Sequence, residues 1–115
     1  MSNDCLFCKI INGEIPANIV NQNEYAMAFR DINPQSPTHV LIIPKIHISS
    51  CHDLNKQNID YLSEMVFLAQ KVAEKEKVAE NGYRLVINTG DDGGQTVNHI
   101  HLHLLGGRSM SWPPG

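Results

Sequence analysis

Residues 99–105 read HIHLHLL, a run in which histidine and aliphatic side chains alternate strictly. Successive side chains of a strand point to opposite faces, so the run predicts a β-strand with His99, His101 and His103 on one face and aliphatic residues on the other. Next-but-one residues of a strand lie about 6.6 Å apart, which places the outer imidazoles about 13 Å apart. Three such side chains do not close comfortably on one ion, although two neighbours could share a metal.

The imidazole row suggests chemistry on phosphorus. A neutral imidazole is a nucleophile at pH 7, because its unperturbed pKa is about 6.5. It can attack phosphorus and form a phospho- or nucleotidyl-histidine. His101 has a histidine neighbour on either side and is therefore the best nucleophile candidate.

The loop before this run strengthens that interpretation. Residues 89–98, TGDDGGQTVN, form a glycine-rich loop whose backbone N–H groups could approach an anion closely, because glycine has no Cβ. Gln95 and Thr96 add donors. Such a loop alone is usually a hairpin turn. Placed directly before the histidines, it is interpreted as an oxyanion cradle.

Periodicity elsewhere predicts one long helix from Asn55 to about Glu80, because apolar residues recur there at three- and four-residue steps. A short helix is expected over residues 8–12 and should end at Gly13. This order of elements predicts an α+β fold with an antiparallel sheet packed by the long helix, not alternating βαβ units. The other predicted strands are Ile19–Val20, Glu24–Asp31, His39–Ile43 and Tyr83–Asn88, and the predicted buried helix face is Ile59, Leu62, Val66, Ala69 and Val72 or Ala73.

Length and composition limit the possibilities. The chain has 115 residues, 42% of them hydrophobic and 18% charged, which predicts one globular domain over residues 1–115. Nine Lys and Arg against 12 Asp and Glu give a net charge of −3, so we expect no binding to bulk nucleic acid or to anionic membranes. No apolar run approaches the roughly 18 residues of a membrane span, and the N-terminus does not resemble a secretory signal. Three cysteines in such a chain indicate a reducing compartment, and we expect a cytoplasmic protein.

Two of these cysteines form a C-x2-C pair, Cys5 and Cys8. A zinc site needs two further ligands, and His47 and His99 are available. A cytosolic redox pair is an alternative, but that motif usually opens a helix that follows a strand. Two inert core cysteines are the third possibility, and spacing alone leaves all three open. Cys51 has no partner motif and is expected to be a free thiol.

The chain resembles the histidine triad nucleotide-binding proteins, specifically the branch of small dimeric nucleoside phosphoramidases. The resemblance spans nearly the whole chain outside the long helix. It implies a five-stranded antiparallel sheet with one long and one short helix, and a homodimer with a continuous ten-stranded sheet. The matching segments are FCKIINGEIPA (7–17), AFRDINPQSPTHVLIIPKIHI (28–48), NTGDDGGQTVNHIHLHLLGGR (88–108) and WPPG (112–115).

The resemblance also assigns residues. It implies that His101 is the nucleophile, that His103 contacts the phosphate and that His39 supports the nucleophile. Thr96 would act as a catalytic donor in place of the more usual Ser. Asp31 would bind the ribose, and Trp112 would reach the partner's site and shape leaving-group preference. The base pocket would comprise Phe7, Ile10, Phe29, Ile32 and Leu41, the phosphate site Asn88, Gly94, Gln95 and Thr96, and a structural zinc site Cys5, Cys8, His47 and His99.

The implied activity is hydrolysis of the P–N bond of purine nucleoside 5′-phosphoramidates, meaning AMP or GMP conjugates of amines or lysine, through a nucleotidyl-histidine. No cofactor is expected to take part in the chemistry. Two alternatives stay open: a dinucleoside polyphosphate hydrolase, and a nucleotide-binding interaction module with little turnover. The ending GGRSMSWPPG resembles the phosphoramidase branch and disfavours the first, while the intact histidines and cradle disfavour the second.

Overall fold

The computed structural model of the protein describes residues 4–115. Its five strands form one antiparallel sheet in the order β1-β2-β3-β5-β4, which confirms the predicted fold class of one sheet, one long helix and one short helix. A short 3-10 turn at Cys51–Asp53 precedes the long helix. The elements are α1 (Leu6–Ile11), β1 (Ile19–Gln22), β2 (Ala26–Arg30), β3 (Thr38–Pro44), α2 (Ile59–Lys75), β4 (Tyr83–Val86) and β5 (Leu102–Gly106).

The sheet has an apolar cluster on each face. Helix α2 covers one face, where Val40, Ile42 and Leu104 are completely buried. Helix α1 contributes Phe7 and Ile10 to the smaller cluster on the other face. Strand β3 is buried along its whole length, as expected of a central strand that has helices on both sides. The smaller cluster comprises Phe7, Ile10, Met27, Phe29, Leu41 and Ile43.

The long helix is shorter than predicted at both ends. It begins at Ile59, because the Asn55 side chain accepts the N–H groups of Gln57 and Asn58 and forms a turn in place of helix. It ends at Lys75, since Lys77 has a left-handed backbone with φ of 61°. The buried face is also rotated from the predicted one: Ile59 is exposed, and Leu62 and Val66 are only partly buried. The side chains that are buried are Met65, Leu68, Ala69, Val72 and Ala73.

The last strand begins at Leu102, so the prediction of a strand from His99 was wrong. The β3–β5 ladder ends at the pair Ile42 and Leu102. The next residue of β3 that would donate an N–H toward β5 is position 44, and proline has none. The chain leaves the sheet there, and the Ile100 N–H donates to the Ile48 carbonyl at 2.7 Å.

The two edges of the sheet differ. Edge strand β1 is irregular, because its register against β2 shifts between Ile19 and Asn21. Edge strand β4 pairs regularly with β5 from Tyr83 to Val86. None of the helices among residues 4–115 has the length and hydropathy that a membrane crossing requires.

Candidate active site

Two histidines from neighbouring strands form a hydrogen-bonded pair. The Nδ1 of His39, in β3, accepts the backbone N–H of Gln35 at 3.0 Å. The proton of a neutral His39 must therefore lie on Nε2, which is 2.9 Å from Nδ1 of His103 in β5. His103 accepts at Nδ1, so its Nε2 carries a proton and remains a donor. This pair turns His103 into an N–H donor, the role that an anionic phosphate oxygen needs.

The charge state of this pair agrees with the hydrogen bonds. Burial, aided by the neighbouring His101 and His39, lowers the pKa of His103 to about 4. Burial also lowers the pKa of His39, although Asp31 opposes the effect. The Asp31 Oδ2 atom lies 3.4 Å from His39 Nε2. Both imidazoles are therefore neutral at pH 7, as their assigned tautomers require.

The nucleophile candidate, His101, is held by the backbone. Its Nδ1 donates to the carbonyl oxygen of His99 at 2.8 Å, and this leaves the lone pair on Nε2. The ring is 5% exposed and packs edge-on against Phe7, with ring centroids 5.1 Å apart. The ring centroid of His103 lies 5.0 Å from that of His101. The His99 carbonyl and the neighbouring rings of Phe7 and His103 thus fix the orientation of the His101 imidazole.

Two of the predicted site histidines make contacts that the sequence pattern did not indicate. His39 was expected to support the nucleophile, and its hydrogen bond goes to His103. His99 was expected to flank His101 as a third imidazole in one row. It contributes its carbonyl oxygen to His101, while its ring turns toward Cys5 and Cys8, with which the resemblance had already grouped it.

The residues expected to bind base and sugar lie on α1, in the middle of β3, and at or just after the end of β2. Asp31 follows β2 directly, and its Oδ1 accepts the N–H of Asn33 at 2.8 Å. Ile32 is fully exposed, at 101%. The rings of Phe7 and Phe29 pack edge-on, with their centroids 5.6 Å apart. The four other predicted base contacts, Phe7, Ile10, Phe29 and Leu41, are buried in the cluster under this surface.

The glycine-rich loop is braced from within. The Gln95 side chain accepts the Gly90 N–H at 3.0 Å and donates to the carbonyls of Ser49 and Val97 at 2.7 and 3.0 Å. The backbone N–H groups of Gly94 and Gln95 donate to Asp91 and Gly90. A Cβ at Gly93 would lie 2.4 Å from the Thr89 carbonyl oxygen, so a side chain there would force the loop to move.

The Gln95 side chain hydrogen-bonds within the chain through both its oxygen and its nitrogen, so it orders the loop, and its contact with phosphate stays a prediction. Gly94, at φ of 82°, and Thr96 are exposed at the loop, and Asn88 is half-buried before it. Trp112, in the C-terminal segment, is 83% exposed.

The C-x2-C pair meets both predicted histidines. Cys5 Sγ lies 3.3 Å from His99 Nδ1, and Cys8 Sγ lies 3.4 Å from His47 Nδ1. All four ligand atoms lie within 4.8 Å of one another. His99 Nε2 donates to the Pro44 carbonyl at 3.0 Å, which leaves the Nδ1 lone pair facing the thiols. We call Cys5, Cys8, His47 and His99 the Cys/His cluster.

The donor set fits zinc. Two thiols and two imidazoles are a common tetrahedral set for this ion. Burial and the neighbouring Cys5 raise the pKa of Cys8 to about 11, and burial lowers the pKa of His99 to about 4. A divalent cation would reverse the balance at the thiol, because it stabilises the thiolate.

Three contributors were not predicted from the sequence: Gln35, Pro44 and Ser49. Gln35 fixes the tautomer of His39, Pro44 fixes that of His99, and Ser49 anchors the Gln95 side chain. All three act through backbone N–H or carbonyl groups. Their side chains therefore carry no signal in the sequence.

The chain is similar in sequence and in fold to known proteins. The chain matches the HIT domain family over residues 12–110. It is 51% identical over 110 residues to the purine nucleoside phosphoramidase of Escherichia coli K12, covering 96% of this chain and 92% of that protein. It is 50% identical over 112 residues to the 14 kDa zinc-binding protein of Zea mays, covering 96% and 87%. The crystal structure of a HIT family hydrolase from Legionella pneumophila Philadelphia 1 superposes with a TM-score of 0.95 at 55% identity, over 97% of this chain and all of that one.

Proposed function

Because the chain belongs to the HIT domain family, and is a nucleotide hydrolase of that family, we propose that it cleaves the P–N bond of purine nucleoside 5′-phosphoramidates. The observation that carries the proposal is the hydrogen bond from His101 Nδ1 to the His99 carbonyl, since it leaves Nε2 as the nucleophilic nitrogen. The name of the Escherichia coli relative supports the P–N bond as the target.

The reaction has two steps. In the first, His101 Nε2 attacks the α-phosphorus, the P–N bond to the amine breaks, and the amine leaves with a proton taken from solvent. In the second, water attacks the phosphorus, the bond to Nε2 breaks, and the nucleoside monophosphate leaves as the water gives up its proton to solvent. His101 returns to its neutral Nδ1–H form.

The surrounding donors stabilise charge on the phosphoryl oxygens in both steps. His103 offers its Nε2–H to the phosphate. His39 donates its own Nε2–H to His103 Nδ1, so the proton of His103 lies on Nε2. Thr96 offers a hydroxyl, and Asp31 would accept the ribose hydroxyls. Hydrogen bonds within the chain hold His103 and Asp31 in position, and groups positioned in this way stabilise charge with little reorganisation.

The test is release of AMP from adenosine 5′-phosphoramidate bearing a lysine-like amine, without added metal. We expect fast release by the native chain and its loss in His101→Ala. His52→Ala is the matched control, since His52 is an exposed histidine in the 3-10 turn, outside the site. Release that persists in His101→Ala would refute the nucleophile. Release only from a diadenosine polyphosphate would assign the chain to the polyphosphate hydrolases, and nucleotide binding with no turnover would favour an interaction module.

We further propose that the Cys/His cluster holds a structural zinc ion. The proximity of its four ligand atoms and the zinc-binding name of the maize relative support this. Bound zinc would fasten α1 to the corner after β3 and would supply no step of the chemistry. We expect one equivalent of zinc in the purified native protein and none in Cys8→Ser. Native protein that takes up no zinc at neutral pH would contradict the proposal.

Two copies are proposed to join through β4 into a ten-stranded sheet. No strand among residues 4–115 pairs with the outer side of this edge strand, and a groove of about 640 Å³ beside its start is lined by Tyr83, Arg84 and residues 107–110. Sedimentation at micromolar concentration should give twice the chain mass, and a monomeric mass would refute the pairing.

The three free thiols support a reducing compartment, and we propose the cytoplasm.

A further inference from the structure

His99 contacts both the Cys/His cluster and the nucleophile candidate His101. Its side chain is fully buried, with Nδ1 3.3 Å and 3.6 Å from the thiols of Cys5 and Cys8. Its Nε2 donates to the Pro44 carbonyl, and its own carbonyl oxygen accepts the Nδ1 proton of His101 at 2.8 Å. One residue thus lies in the Cys/His cluster through its ring and at the nucleophile through its backbone.

A second contact links the same two places. Phe7 lies on α1 between Cys5 and Cys8, the two cysteines of the cluster. Its ring packs edge-on against His99 at 5.8 Å and against His101 at 5.1 Å. A shift of α1 on loss of a cluster ligand would therefore also move a wall of the His101 pocket.

We propose that His99 is a positioning residue, through which metal in the Cys/His cluster keeps the His101 ring in its reactive tautomer. The proposal rests on the proposed nucleophilic role of His101. A neutral imidazole holds its proton on either nitrogen, and only the Nδ1–H form has a lone pair on Nε2. The His99 carbonyl selects that form. When the cluster is loaded, metal on Nδ1 and the Pro44 carbonyl at Nε2 fix the ring of His99, and the carbonyl of the same residue stays at His101.

When the cluster is empty, two thiols and two imidazoles face one another without a cation. The ring of His99 then keeps its bond to Pro44 and its packing against Phe7 but has no partner that fixes Nδ1, and its carbonyl can turn away from His101. The Nε2–H form of His101 becomes populated, and that form cannot attack phosphorus. The cluster would thus act on the reaction without touching the substrate.

The experiment uses NMR to measure the tautomer of His101 in variants of two exposed histidines. His47 is the one exposed ligand of the cluster, and His52 lies outside it, so His47→Ala and His52→Ala form a matched pair. Long-range proton–nitrogen correlation on imidazole-labelled, zinc-loaded protein at alkaline pH distinguishes Nδ1–H from Nε2–H rings. The His101 signal is assigned by its disappearance in His101→Asn.

We expect His101 to be entirely Nδ1–H in native protein and in His52→Ala, and a mixture of both tautomers in His47→Ala. On the phosphoramidate substrate, kcat of His47→Ala should fall in proportion to the fraction of His101 that has left the Nδ1–H form, about twofold for an equal mixture, while KM changes far less. Chelation of zinc from native protein should produce the same mixture, and it replaces the variant if His47→Ala does not fold.

A His101 ring that stays wholly Nδ1–H after zinc removal, in protein with a native circular dichroism spectrum, would overturn the proposal. So would a native protein that takes up no zinc. The tautomer measurement needs no substrate. A chain that releases no AMP and yet changes its His101 tautomer with zinc would refute the proposed function and support the coupling.

Discussion

Lowering the pH from 7 to 5 should destabilise this fold, because His103 is held neutral in the folded state. Burial lowers its pKa from 6.5 to about 4. The unfolded chain therefore binds a proton at higher pH than the folded chain does. Stability is fully present above the unfolded pKa and is lost progressively as the pH falls from about 6.5 toward 4.

The size of the effect follows from these two values. Between pH 7 and pH 5, such a shift corresponds to about 1.8 kcal/mol of unfolding free energy. Because the ring is only partly buried, solvent screening reduces the expected loss to roughly 1 kcal/mol. In urea this moves the unfolding midpoint by roughly 0.5 to 1 M.

The assay is urea unfolding of the native chain and His103→Asn at both pH values, at one protein concentration and with the same zinc supply. An asparagine oxygen can still accept from His39, but it does not titrate. Effects of pH on zinc or on subunit pairing are common to both proteins and cancel in the comparison. The native chain should lose about 1 kcal/mol more than the variant. Equal losses would show that His103 is not a buried neutral imidazole.

Three further predictions concern stability. Leu68→Ala should lower the free energy of unfolding in urea by about 3 kcal/mol, because Leu68 is 2% exposed in the core. The control Gln70→Ala, on the exposed side of α2, should lower it by less than about 0.5 kcal/mol. Similar losses in the two variants would contradict the described helix face. Lys77→Gly should raise stability by roughly 0.5 to 1 kcal/mol in a thermal melt, because it removes a side chain from a left-handed position, and Lys77→Ala should bring no such gain. Glu76→Gln should cost about 1 kcal/mol at neutral pH, because it breaks the bidentate pair with Arg30 at 2.8 and 2.9 Å. Arg30 lowers the pKa of Glu76, so this stabilisation is present above the usual pKa of 4.5 and lost as the pH falls through the lower folded value; a cost that persists in acid would refute the assignment.

The sequence predicts the elements of this fold well and their ends poorly. The alternation in residues 99–105 correctly places Leu102 and Leu104 in the core, opposite the histidines. The start of β5, however, is decided by position 44 of another strand, where proline cannot donate. Likewise, the period of α2 is visible from the sequence, but its buried side depends on which residues meet the sheet, and Met65 and Leu68 do so in place of Ile59.

The sequence likewise predicts which residues form the candidate site better than it predicts the hydrogen bonds between them. The four members of the Cys/His cluster meet as expected. The tautomers of His39, His99 and His101 are set by a backbone N–H and two backbone carbonyls. Nearly every residue type carries these groups, so no sequence pattern reveals them. Spacing within a strand also overstated the regularity of the three histidines, because only His103 lies in β5.

The unequal edges of the sheet limit how far assembly can go. A pair joined through β4 would carry a β1 strand at each outer end. The register shift between Ile19 and Asn21 disturbs the row of hydrogen-bonding groups that an incoming strand would need. Growth would therefore stop at two copies, and the protein would gain a shared sheet without becoming a seed for fibres.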